Sequence, residues 1–179
     1  KLGAQIDLVD KDGRTPLYIA SYHGHKEAVR ILIKAGADIN VTNVNNLTPL
    51  WICLNKGYKE IIEMLIEAKA EINIVDNEGS SPLWLMSQNG NKEMIKMLIK
   101  AKAELNQAKI SDGSSPLFIA SQNGHEEAVK ILIEEGANIN QEDYRGKTAL
   151  DVAKQQSVKK KKKRSVLYSD KCDENEFET

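Results

Sequence analysis

The sequence is poor in the residues from which catalytic sites, metal centres and secreted disulfide scaffolds are built. Two cysteines, Cys53 and Cys172, occur in 179 residues, and one such pair sets up no disulfide framework. A reducing, intracellular compartment is therefore expected, cytoplasmic, with the nucleus as the variant reading. Three histidines are present, His23, His25 and His125. His23 and His25 flank one glycine, but no third ligand recurs at metal spacing, so no metal is expected. The chain has no glycine-rich phosphate loop, no paired acidic motif and no nucleophile motif, which leaves no catalytic residue, cofactor or small-molecule substrate to predict. No apolar run reaches the roughly 18 residues of a membrane span, and the first residues hold no apolar signal core.

Proline is scarce too, and its placement organises the chain. The four prolines, Pro16, Pro49, Pro82 and Pro116, stand 33, 33 and 34 residues apart, each in a Thr/Ser-Pro-Leu-aromatic tetrapeptide. A fixed period of this length marks a repeat array, in which each unit must stack on its neighbours to bury its apolar face. Function is then expected on a shared surface, and a partner is expected before a substrate.

Within the first unit, Thr15 suits an N-cap and Pro16 the first helical turn, where a missing N–H costs nothing. The spacing predicts a short helix over 17–22, ended at Gly24, and a second over 26–35. In the second, Ala28, Val29, Leu32 and Ile33 share one face, and Gly36 closes it. An extended turn, as in 40–46, carries the chain to the next Thr-Pro.

Stretches such as Asp12-Gly13-Arg14-Thr15-Pro16-Leu17 and Ala35-Gly36-Ala37-Asp38-Ile39-Asn40 resemble the ankyrin repeat, over Lys1 to about Ser157. The resemblance implies an all-α repeat solenoid of stacked helix-turn-helix units with extended hairpin fingers and a concave groove. The expected units are 1–9, the end of a preceding repeat whose helices are missing, then repeats at 10–42, 43–75, 76–109 and 110–142. A C-terminal capping repeat follows at 143–168 and an acidic tail at 169–179. On this reading the chain is a fragment.

Departures from the family pattern carry information. An aromatic residue follows each Pro-Leu: Tyr18, Trp51, Trp84 and Phe118. The rings either brace each helix pair against the next hairpin or form a half-exposed ladder along the groove. Lys69 and Lys102 stand where Gly36 and Gly136 stand in sister repeats, a strained choice if the backbone there is left-handed. One extra residue in 107–110 is to be absorbed in the finger between repeats three and four. Leu32 with Asp38-Ile39-Asn40, and Leu65 with Glu71-Ile72-Asn73, resemble sites modified by asparaginyl hydroxylases. The structural alternative is that these asparagines bond local backbone and fix the turn.

Formal net charge is -1, but residues 159–171 hold 7 of the 25 basic residues and 170–178 hold 5 of the 26 acidic ones. The run Lys159, Lys160, Lys161, Lys162, Lys163 and Arg164 reads either as a solvated cap helix, with Val166 and Leu167 turned inward, or as a nuclear-import or anionic contact. The body shows no nucleic-acid footprint.

Family members generally bind through finger tips and the exposed face of each first helix. Carried onto this sequence, that surface is Arg14, Tyr18, Tyr22 and His23, then Val44, Leu47, Trp51, Asn55 and Lys56, then Trp84, Gln88, Asn89, Gln122 and Asn123. Ser80 and Ser114 are expected on the same face. Tyr22, Val44, Leu47 and Val75 place the apolar hot spot at repeats one and two. The expected function is a non-catalytic, monomeric scaffold whose partner is another protein. The alternatives are the recognition arm of a larger enzyme or effector lying upstream, and an anionic-ligand or nuclear-import contact through Lys159 to Arg164.

Overall fold

The computed structural model describes residues 5–156. Eight helices form four antiparallel pairs: α1 (Pro16–Tyr22) with α2 (Lys26–Lys34), α3 (Pro49–Lys56) with α4 (Lys59–Glu67), α5 (Pro82–Asn89) with α6 (Lys92–Lys100), and α7 (Pro116–Asn123) with α8 (Glu126–Glu134). A ninth, α9, runs over 149–156, and no strand occurs among the described residues. No helix there is long and apolar enough to cross a membrane.

Each odd-numbered helix starts for one local reason. The hydroxyls of Thr15, Thr48, Ser81 and Ser115 accept from the backbone N–H groups of Tyr18, Trp51, Trp84 and Phe118 at 3.0–3.1 Å, with proline in the first turn. Such a cap contributes about 1 kcal/mol. At α9, where Ala149 replaces proline, Thr148 and Asp151 form a reciprocal capping pair: the Thr148 N–H and hydroxyl both donate to Asp151 Oδ2, at 2.9 and 2.7 Å.

The pairs stack in two rows. In the first, α1 packs on α3, α3 on α5 and α5 on α7; in the second, α2 meets α4 and α6 meets α8. Leu17, Leu50, Leu83 and Leu117 fill the seam with Val29, Ile62 and Ile95, all buried.

The finger asparagines bond differently from the expectation. Asn40 and Asn73, with Asp7 and Asn106 at the sister positions, use Oδ1 across the repeat boundary. That atom accepts the backbone N–H of Glu71, Glu104, Asp38 and Asn138, each in the next repeat, at 2.8–3.1 Å. Stacking creates this ladder, since its partners lie 31 or 32 residues apart.

The extra residue sits in the tip of the fourth finger. The finger turns close by a backbone bond from Asp10 to Arg14, Asn43 to Leu47, Asp76 to Ser80 and Asp143 to Lys147, whereas Lys109 closes on Ser114, one residue later. Lys69 and Lys102 both lie at φ 70°, left-handed, as Gly36 does at 87° and Gly136 at 93°.

Candidate protein-binding surface

The aromatic residues after each Pro-Leu are core. Tyr18, Trp51, Trp84 and Phe118 are at most 9 % exposed, which corrects the placement of Tyr18, Trp51 and Trp84 on an open ladder. They brace the next finger instead. Tyr18 Oη accepts from Asn43 Nδ2 at 3.1 Å, and Trp84 Nε1 donates to Ser114 Oγ at 3.0 Å. Lys109 Nζ lies 4.6 Å from the centre of the Trp84 ring and 2.7 Å from Glu78 Oε2. Trp51 Nε1, buried in the sister position, has no hydrogen-bond partner among the described residues. Leu47 is half-buried against the core, and Ser80 and Ser114 are buried rather than presented.

The rest of the anticipated surface is accessible to varying degree. Tyr22 is exposed and stacks edge-on against His23, with ring centres 5.1 Å apart. Lys56 Nζ sits 4.7 Å above the Tyr22 ring, and the His23 and His25 rings lie parallel at 5.7 Å. Asn55, Lys56, Asn89 and Asn123 are exposed, while Gln88 and Gln122 are half-buried. The carbonyl of Gln88 accepts from Asn123 Nδ2 and faces His125 Nε2 at 2.8 Å, tying the ends of successive first helices. A cleft of about 260 Å³ opens between Arg14, Tyr18, Ile19, Tyr22 and His23.

Arg14 is not a free cation. Its guanidinium holds Asp10 Oδ2 at 2.7 Å and Asp12 Oδ2 at 2.9 Å. Its side-chain hydrogen bond, with the Arg14 backbone N–H, keeps the Asp10 carboxyl below its ordinary value. Three Asp, Glu, His or Cys side chains nowhere converge on one point among the described residues. Burial pushes the Cys53 thiol up to about 12, despite a weak bond to the Ser21 carbonyl. A thiol so placed carries no nucleophilic chemistry near neutral pH.

Three of the five finger turns present an exposed apolar side chain at their second residue. Val44 is 62 % exposed, Ile110 66 % and Tyr144 72 %. Tyr22 and Val44 are the exposed apolar groups at repeats one and two, and Ile110 and Tyr144 add two on later fingers. The signal was present: aligning the finger turns puts Lys11, Val44, Asn77, Ile110 and Tyr144 in one column. Three tips are locked to the preceding one by backbone bonds, Val44 N–H to Asp12 O, Asn77 N–H to Asn45 O and Tyr144 N–H to Asp112 O. At the enlarged tip the Lys109–Glu78 pair spans to the preceding finger.

Capped helix pairs at a 33-residue period, joined by fingers in register, define an ankyrin array. The sequence model for ankyrin repeats (3 copies) matches residues 2–76 and 83–161. The chain belongs to the ankyrin-repeat family, whose arrays are generally protein–protein interaction modules and typically non-catalytic. No curated protein matches it in sequence.

Proposed function

We infer that this chain is a non-catalytic scaffold that binds another protein across its finger tips and the exposed ends of its first helices. The row of Val44, Ile110 and Tyr144 on cross-linked fingers carries the reading. Single exposed apolar side chains are ordinary on any surface. Three of them at equivalent finger positions, on a backbone already held in place, offer a partner anchors at little ordering cost. Polar neighbours Asn55, Asn77, Asn89 and Asn123 provide the rim such an interface needs. Tyr22 with Lys56 and His23 extends the surface at the first repeat.

The test compares the parent chain with a variant carrying Tyr22→Ala, Val44→Ser, Ile110→Ser and Tyr144→Ser in capture of a binding protein. Loss of capture at an unchanged melting temperature is expected. Equal capture by both chains refutes this surface.

A further inference from the structure

The second row of helices is not evenly closed. α2 packs on α4 and α6 on α8, whereas α4 and α6 make the loosest junction of the row. A groove of about 590 Å³ runs along that junction, walled by Glu63 and Glu67 of α4 and by Lys96 and Lys100 of α6, with half-buried Ile66 and Met97 as its floor. The corresponding groove between α2 and α4 holds about 310 Å³.

One wall is acidic and the other basic. All four charged side chains are exposed, and none enters an ion pair among the described residues. Glu63 and Lys96 are the fifth residues of their helices, and Glu67 and Lys100 the ninth, so unlike charges stand at matched heights on the two sides. No local rule asks for this pattern. Glu67 lies in the last turn of α4, where the helix dipole disfavours an anion; α2 and α6 place Lys34 and Lys100 there.

We propose that this groove is the contact between two copies of the chain, related by a two-fold axis parallel to α4 and α6. Such an axis sets α4 of one copy on α6 of the other, and the reverse. Because the charges stand at matched heights, Glu63 then meets Lys96 of the second copy and Glu67 meets its Lys100, twice over, around a shared floor of Ile66 and Met97. An axis running across the helices sets α4 on α4 and α6 on α6, like charge on like, and is disfavoured. At the helix starts Lys59 and Lys92 come level, each with a glutamate of the other copy one residue away, Glu93 and Glu60. Exposed ion pairs add little affinity but fix orientation and register; burial of the floor supplies the attraction. Helices of nine residues are about 14 Å long, which puts the contact at the small end of specific interfaces. A reversible, salt-weakened dimer is therefore expected in place of the monomer read from the sequence. The fingers and Tyr22 belong to other elements and stay outside the contact, so the dimer presents two partner surfaces at once.

Sedimentation equilibrium of the full chain, from micromolar to millimolar concentration at low and high salt, tests this. One variant carries Glu63→Lys and Glu67→Lys, a second Lys96→Glu and Lys100→Glu, and a third all four; circular dichroism reads whether each is folded. The parent is expected to dimerise, and less so at high salt. Either two-site variant alone loses the dimer, their equimolar mixture regains it as a heterodimer, and the four-site variant regains it with itself. Recovery in the mixture and in the four-site variant excludes misfolding as the cause of the loss. A parent that stays monomeric throughout overturns the proposal and leaves the groove to a different protein. So does a two-site variant that dimerises as the parent does, a mixture or four-site variant that stays monomeric, or a dimer indifferent to salt. A dimer lost with Leu150→Ser, at the exposed end of the array, belongs to that end and overturns the proposal as well.

Discussion

Lys69 and Lys102 hold a backbone conformation at φ 70° that sister repeats give to glycine. A side chain there places Cβ against its own carbonyl, at a cost of about 1–2 kcal/mol. Glycine removes that cost but brings about 0.5–1 kcal/mol of extra freedom to the unfolded chain. The difference leaves a stabilisation on the order of 0.5–1 kcal/mol for each of Lys69→Gly and Lys102→Gly. Both lysines are exposed and enter no ion pair among the described residues, so little else changes there. For a chain of this size that is a rise of roughly 1–4 °C per site, adding in the double variant. The converse follows from the same geometry. A Cβ on Gly36 or Gly136 meets nothing within 4 Å, so Gly36→Lys and Gly136→Lys lower the melting point by strain alone, to a similar extent. Melting followed by the helical circular-dichroism signal reads all four. Unchanged or lower melting temperatures in both lysine-to-glycine variants refute the argument.

Ser114→Ala strands the buried Trp84 Nε1 and is expected to cost about 1–3 kcal/mol. Ser80→Ala, at the position that Ser114 holds one repeat later, strands no indole because Trp51 Nε1 is already unpaired among the described residues, so it is expected to cost less, and denaturant midpoints of the two compare them directly. Asn73→Ala removes one rung of the inter-repeat ladder and is expected to cost about 0.5–1.5 kcal/mol by the same measurement. Cys53 resists alkylation at pH 8 until the chain unfolds, because burial raises its thiol; labelling read by peptide mass at the folded rate of an exposed thiol would contradict this. Burial acts to raise the Asp143 carboxyl, but the Lys147 N–H and the Arg145 side chain and N–H outweigh it and hold it below 3.8. Its folded value is thus depressed, so its contribution is present above that pH and lost as pH falls toward the folded value. Asp143→Asn is expected to flatten the acid side of the stability profile, measured by melting from pH 5 down to pH 2.

The sequence alone determined the period, the two helices of each unit, their caps and the family, because these depend on contacts within a few residues. Thr15 capping Tyr18 and left-handed Lys69 needed only local chemistry. Tertiary structure decided what each side chain faces. A Trp after Thr-Pro-Leu reads equally as anchor or brace until the next finger is placed, and stacking then buries Trp84 under Ser114 and Lys109. The asparagine ladder joins residues a full repeat apart, so no local pattern shows it. Exposure of Tyr144 and Leu150 likewise depends on which neighbour lies beside the fifth unit. Stacking is a relation between repeats, and a single repeat's sequence encodes only the surface it brings to that contact.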